Sequence, residues 1–210
     1  MPEVAGAAPG ATAVGGTARP VDGEGKMSLT LRVNGHEHVV RARAHHTLLD
    51  VLRGEVGLTG PREGCGVGMC GACTVLLDGR PISSCLLLAP MAEDHDIGTI
   101  EGLQGPAGEL HPIQQAFVDH TAFQCSYCTP GFIMATKALL AENADPTPED
   151  VRHDLAGNLC RCGSYSRIMA SVLDTAERLR AGPSGEGDAA EPVRAAGDGG
   201  TAGATGVAAK

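Results

Sequence analysis

Eight cysteines in tight, uneven spacings constrain this 210-residue chain more than any other feature. Cys65, Cys70 and Cys73 read C-x4-C-x2-C, and Cys85 follows after eleven residues. Further on, Cys125 and Cys128 form C-x2-C, and Cys160 and Cys162 form C-x-C. The first residues show no basic region followed by an apolar run, no twin-Arg pair occurs there, and no window has the apolar length of a membrane span. The expected location is therefore the cytoplasm. Thiols stay reduced there, so these cysteines read as ligands rather than as a disulfide framework.

Composition strengthens that reading. The chain has no Trp, three Phe and two Tyr, and much of its 42% hydrophobic content is alanine. Aromatic packing cannot organise it, and a metal centre is a substitute source of folding energy. Residues 1–26 and 181–210 are rich in Ala and Gly and lack hydrophobic periodicity. Both are expected to be disordered tails. The net charge of −9 argues against non-specific nucleic-acid binding and against attachment to an acidic membrane surface.

Residues 27–103 carry strand and turn signals. Ser28–Val33 alternates apolar and polar side chains, Asn34-Gly35 is a two-residue hairpin turn, and His38–Ala44 supplies the return strand. Thr47 is expected to cap a short helix over Leu48–Arg53. Thr74–Leu77, Asp78-Gly79 and Arg80–Ser84 form a second hairpin, and Asp96–Ile100 a last strand. Residues 108–180 change to helical patterning. Three segments open with Pro near the first helical position, at Pro112, Pro130 and Pro148, and Thr147 with Asp150 makes a variant capping box. Phe132, Ile133, Thr136, Leu139 and Leu140 follow a helical period, as do Ile168, Val172, Leu173, Ala176 and Leu179. Gly and Pro within residues 103–109 mark the boundary between the halves.

The first cysteine set has the plant-type [2Fe–2S] spacing. Glycines 64, 66, 68 and 71 fill its loop. They permit the positive φ angles needed to aim backbone N–H groups at cluster sulfurs. The alternative, zinc held by four cysteines, favours two separated short pairs. A [4Fe–4S] centre lacks its C-x2-C-x2-C run. Met69 inside the loop reads as a packing residue.

The second set is less specific. Both pairs precede a helix, where free N–H groups and the helix dipole stabilise thiolates. Two such ends could share one four-thiolate site, but spacing alone leaves zinc open. His36, His38, His45 and His46 carry no paired cysteine spacing and read as exposed polar positions. Arg161, between two ligand candidates, either offsets cluster charge or is solvated; Tyr127 and Tyr165 either shield the second set or pack in the core.

Glu63–Asp78 (EGCGVGMCGACTVLLD), Gln124–Met134 (QCSYCTPGFIM) and Gly157–Cys162 (GNLCRC) together resemble the small iron–sulfur subunit of the molybdenum hydroxylases. That family includes xanthine dehydrogenases, carbon monoxide dehydrogenases and aldehyde or N-heterocycle oxidoreductases. The likeness spans nearly all of Leu29–Leu179. It implies an α+β fold: a β-grasp, ferredoxin-like domain (27–103) followed by a four-helix-bundle domain (108–180), each with one [2Fe–2S] cluster. Cys65, Cys70, Cys73 and Cys85 would hold the plant-type cluster. Cys125, Cys128, Cys160 and Cys162 would hold the other. In the family, electrons leave a molybdopterin centre in a large subunit, cross the helical-domain cluster and then the plant-type cluster, and usually reach FAD in a medium subunit. Gln124 and Cys162 match positions that touch the pterin cofactor. A dimer of heterotrimers is the family expectation, with no substrate site on this chain. Two departures concern the subfamily: Gly163-Ser164-Tyr165 stands where many relatives read Thr-Gly-Tyr, and Ser126 replaces a frequent glycine.

Two other functions compete. A free-standing two-cluster ferredoxin would be a soluble carrier without larger partners. A zinc-stabilised interaction module would contain little iron.

Overall fold

The computed structural model describes residues 20–182. The expected tails lie outside the described residues, except for 20–26 and 181–182. Asp22 Oδ1 accepts the N–H groups of Glu24 and Lys26, and this turn leads straight into the first strand. β1 (Lys26–Val33) therefore starts one residue before the expected boundary.

β1 and β2 (His36–Arg43) form an antiparallel hairpin. Its turn residues Asn34 and Gly35 have φ of 51° and 79°, the primed-turn geometry whose twist suits paired strands. The alternation expected of β1 is realised: Leu29, Leu31 and Val33 are buried and Thr30 and Arg32 are exposed. α1 (Leu48–Gly54) is capped by Thr47, which accepts from the Asp50 N–H while Asp50 accepts from the Thr47 N–H. β3 (Thr74–Leu77) and β4 (Arg80–Ser83) make the second hairpin, again through two positive-φ residues, Asp78 and Gly79. β5 is shorter than expected, Asp96–Gly98, because Ile100 already belongs to a 3₁₀ turn. The five-stranded sheet has the order β2-β1-β5-β3-β4, with β1 and β5 parallel. Leu48, Val51 and Leu52 of α1 join Leu29, Leu31, Val33, Val75 and Ile97 in one apolar core.

The second half is helical: α2 (Pro112–Asp119), α3 (Thr129–Glu142), α4 (Pro148–Asp154) and α5 (Tyr165–Ala181). All three Pro starts and the Thr147–Asp150 box occur where expected. α2 gains a cap the sequence did not announce, since His111 Nδ1 accepts the Ile113 N–H. Ile113, Phe117, Phe132, Leu139, Val151, Ile168 and Val172 form the second core. Each such side chain is worth roughly 1.5–3 kcal/mol on burial. On α5, Leu179 is exposed rather than in the core, while Ser171 and Thr175 are fully buried. Their hydroxyls donate to carbonyls one turn back, Arg167 O and Ser171 O, which satisfies them in an apolar setting.

α3 joins the two halves. Beyond the expected one-sided period it buries Met134, Ala135 and Ala138 as well. Met134 and Ala138 pack on Leu76 of β3, while Phe132 and Leu139 face the helical core. A helix buried on most sides is apolar most of the way round. Among the described residues, no helix is long and apolar enough to cross a membrane.

Candidate metal centres

The segment between α1 and β3 carries the first three cysteines. Gly66, Gly68 and Gly71 take φ near +70°, which curls the backbone so that Val67 and Met69 direct their N–H groups at Cys65 Sγ (3.5 and 3.2 Å). Those two N–H donors are the main reason the Cys65 thiol falls to about 7. Met69 is no packing residue: 72% of it is exposed, and what it contributes is its backbone N–H. Cys85 arrives from the end of β4. Ser84, fully buried, donates its hydroxyl to Cys73 O at 2.7 Å and fixes Cys85 beside Cys73. Burial, and then the Cys73 thiol, push the Cys85 thiol up to about 11.

The second set comes from two helix approaches. Cys125 and Cys128 lie on the turn that enters α3, and Cys160 and Cys162 on the turn that enters α5. Cys162 Sγ and Cys125 Sγ are 3.6 Å apart. The Tyr127 N–H, and then the Cys162 thiol, hold Cys125 below its ordinary value. Cys128 is pushed up to about 12, by burial first and by Cys160 next. For Cys160, burial acts upward, but the Ser164 N–H and the Cys128 thiol outweigh it and the net shift is downward.

All eight thiols are free. Cys125 and Cys162 make direct sulfur–sulfur contact, and the Cys73 and Cys160 thiols act on Cys85 and Cys128. Among the described residues, no three His, Cys, Asp or Glu side chains close round a single ion position. A lone tetrahedral ion would need four sulfurs round one point. Four cysteines in each set would suit a binuclear centre, with two thiolates for each iron, and the C-x4-C-x2-C spacing of the first set fits [2Fe–2S] better than zinc.

The two sets sit against each other. Leu159 N–H donates to Cys70 O at 3.0 Å, one residue before Cys160. Asn158, 6% exposed, donates Nδ2 to Gly71 O at 2.9 Å and to Thr74 Oγ1 at 3.3 Å. Arg62 Nη1 donates to Ser126 O, and its guanidinium lies 5.4 Å from the centre of the Tyr127 ring. The Tyr127 hydroxyl donates to Glu63 O, while the Tyr165 hydroxyl accepts from the Cys160 N–H. Both tyrosines thus act through their hydroxyls and remain about half exposed. Glycine is required at the closest approach: a Cβ on Gly131 would stand 2.1 Å from Gly71 O. Gln124 Nε2 donates to Cys162 O at 3.1 Å, which brings those two sequence-selected residues together at an exposed edge. Arg161, His36 and His45 are exposed, and His38 and His46 half-buried. Sequence reasoning passed over Ser84, Arg62 and Asn158, although the last stands inside the GNLCRC phrase and so was within reach.

Comparison with known proteins accords with this geometry. Residues 31–99 match the 2Fe-2S iron-sulfur cluster binding domain family, and residues 99–173 match the [2Fe-2S] binding domain family. Fold and site together define an iron–sulfur electron-transfer protein with two [2Fe–2S] domains. The aldehyde oxidoreductase iron-sulfur-binding subunit of Escherichia coli (strain K12) is 42% identical, over 73% of each chain. The nicotinate dehydrogenase small FeS subunit of Eubacterium barkeri is 43% identical over 73% of this chain and 97% of its own. The crystal structure of quinoline 2-oxidoreductase from Pseudomonas putida 86 superposes with a TM-score of 0.71 at 42% identity, over 75% of this chain and 98% of that one. The chain belongs to the small iron–sulfur subunits of the molybdenum hydroxylase family. It is accordingly an iron–sulfur electron-transfer subunit of an oxidoreductase, and its relatives belong to multi-subunit molybdenum oxidoreductases with a larger molybdopterin subunit.

Proposed function

We propose that Cys65, Cys70, Cys73 and Cys85 hold the plant-type cluster, and that Cys125, Cys128, Cys160 and Cys162 hold the second. The observation that carries this assignment is the 3.6 Å approach of Cys162 Sγ to Cys125 Sγ across the two helix entrances, matched in the first set by the N–H groups aimed at Cys65 Sγ. The domains are then a β-grasp, ferredoxin-like unit (27–103) and a four-helix unit (108–180). The hairpins with α1 across the sheet, and the separate core of α2–α5, support that division.

When bound, each [2Fe–2S] cluster supplies a one-electron carrier. The chain's own residues set the surroundings of those carriers. The Val67 and Met69 N–H groups offset thiolate charge at Cys65. Burial of Cys73, Cys85 and Cys160 keeps water from the inner sulfurs. Asn158 and the Leu159 N–H hold the two cysteine loops at one separation. Cys70 and Cys160 are thereby linked by a short covalent path with one hydrogen bond in it.

In the proposed direction, electrons enter from the large molybdopterin subunit at the Gln124–Cys162 edge, with these two residues in contact with the pterin. They leave by the exposed Cys65 side towards FAD on a medium subunit, in a cytoplasmic dimer of heterotrimers. Exposure of Cys65 and Cys125, one in each cysteine set, supports an entrance and an exit. Iron analysis and electron paramagnetic resonance (EPR) test the assignment. The expected result is about four irons per chain and two distinct reduced signals. Cys128→Ser should remove one signal and Cys73→Ser the other. Stoichiometric zinc, or loss of both signals in each variant, would overturn it.

A further inference from the structure

Ser164 stands at the N-cap of the 17-residue α5, yet its side chain makes no capping hydrogen bond. An N-cap serine ordinarily accepts from the backbone N–H two or three residues on. This hydroxyl is instead turned inward. Ser164 is only 5% exposed, and its Oγ finds no partner at hydrogen-bonding geometry among the described residues. A buried unpaired hydroxyl costs roughly 1–3 kcal/mol, so such a group needs an explanation.

Its nearest chemistry is Cys160. The Ser164 N–H donates to Cys160 Sγ at 3.4 Å. That contact sets Ser164 against the sulfur, and its buried hydroxyl has no partner among the described residues. A thiol, with its own proton to place, competes poorly for that donor; a metal-bound thiolate is an acceptor with lone pairs to spare.

We propose that the Ser164 hydroxyl donates to the Cys160 sulfur when the second cluster is bound, and raises that cluster's reduction potential. The inference rests on the assignment of Cys160 as a ligand. Reduction adds negative charge to the cluster and its sulfurs, so a donor aimed at one of them stabilises the reduced form more than the oxidised form. Ser164 is a positioning and tuning residue, not a catalytic one. The hydroxyl is a property of this chain's Gly163-Ser164-Tyr165 phrase, since glycine in a Thr-Gly-Tyr phrase offers no such group.

EPR-monitored redox titration of the purified holoenzyme tests this with Ser164→Ala, Ser164→Gly and Ser164→Thr. In the Ala and Gly variants the reduced-to-oxidised ratio of the second cluster at the original midpoint should fall about tenfold, ~59 mV for a one-electron couple. The plant-type signal should not move, and Ser164→Thr, which restores a hydroxyl, should titrate near the original. If Ser164→Ala does not assemble, Ser164→Gly alone decides, because glycine is well tolerated at an N-cap. An intact second cluster with an unmoved midpoint in the hydroxyl-free variants overturns this inference alone. Absence of a second cluster from the unaltered holoenzyme overturns the ligand assignment and this inference with it.

Discussion

The Leu159 N–H donates to the Cys70 carbonyl at 3.0 Å, across 89 positions of sequence. Each residue stands in or next to a different cysteine set, so this bond ties the two candidate centres together through backbone. Asn158 reinforces it from the adjacent position. Its amide reaches Gly71 O and Thr74 Oγ1, which joins the first cysteine loop, the start of β3 and the approach to α5.

Replacing Asn158 by Ala should loosen this junction. Two hydrogen bonds from a buried amide are lost, and Gly71 O keeps the Thr74 N–H and hydroxyl as donors. The expected loss is therefore about 1–2 kcal/mol rather than the larger cost of an orphaned carbonyl. Thermal unfolding measures it. Rapid-freeze EPR of the holoenzyme should also show slower electron exchange between the clusters, with both clusters still present. An unchanged exchange rate would remove Asn158 from that role.

Gly131→Ala should destabilise more. The added Cβ meets Gly71 O at 2.1 Å, and backbone faces backbone, so neither side yields cheaply. Overpacking of this kind costs roughly 1–3 kcal/mol. Gly157→Ala is the comparison, because nothing lies within 4 Å of its Cβ position. Equal melting temperatures for the two variants would contradict the close approach of α3 to the first cysteine loop.

Ser126→Gly should stabilise the chain. Ser126 has φ of 60°, a left-handed conformation that costs an L-residue with a side chain about 1–2 kcal/mol. Glycine adopts it freely but loses more freedom on folding. The net gain expected is roughly 0.5–1 kcal/mol. Ser126 O remains available to accept from Arg62. A lower melting temperature would mean that the serine side chain does something else there.

Acid should weaken the packing of α2 on α5. Arg178 joins Asp119 and Asp174 at 2.8 and 2.7 Å, and His120 Nε2 lies 2.8 Å from Asp174. Asp119 is held below its ordinary value by Gln115 first and Arg178 second. At Asp174 burial acts upward, but Arg178 and His120 outweigh it. A folded-state value below the unfolded ~3.9 gives stability that is present above that pH and lost as pH falls through the lowered value. Melting followed by helical circular dichroism should therefore drop below about pH 4. Asp174→Asn should be less stable at neutral pH and fall less steeply. Loss of iron at low pH affects both chains alike, so the difference between the two curves is the readout.

The sequence by itself determined the element order and the residue types of both candidate centres. Asn34-Gly35 and Asp78-Gly79 adopt the turns their chemistry demands, Pro112, Pro130 and Pro148 open helices, and Thr47 and Thr147 cap α1 and α4. These are local effects, decided within a few residues, and local effects are what a linear pattern records. The cysteine spacings likewise restricted the chemistry before any fold was known.

Tertiary structure decided how the halves meet and which side chains serve the cysteines. The inward turn of Ser164, the Ser84 bond that seats Cys85, the clamp of Asn158 on Gly71 and the burial of α3 on several sides all depend on contacts between distant segments. Periodicity marked one apolar face of α3 and could not foresee that β3 would cover another. The eight cysteines stood out as candidate ligands because spacing is a sequence property. The approach of Cys162 to Cys125, the N–H groups aimed at Cys65 and the buried hydroxyl of Ser164 exist only once helix approaches and a glycine loop are packed together.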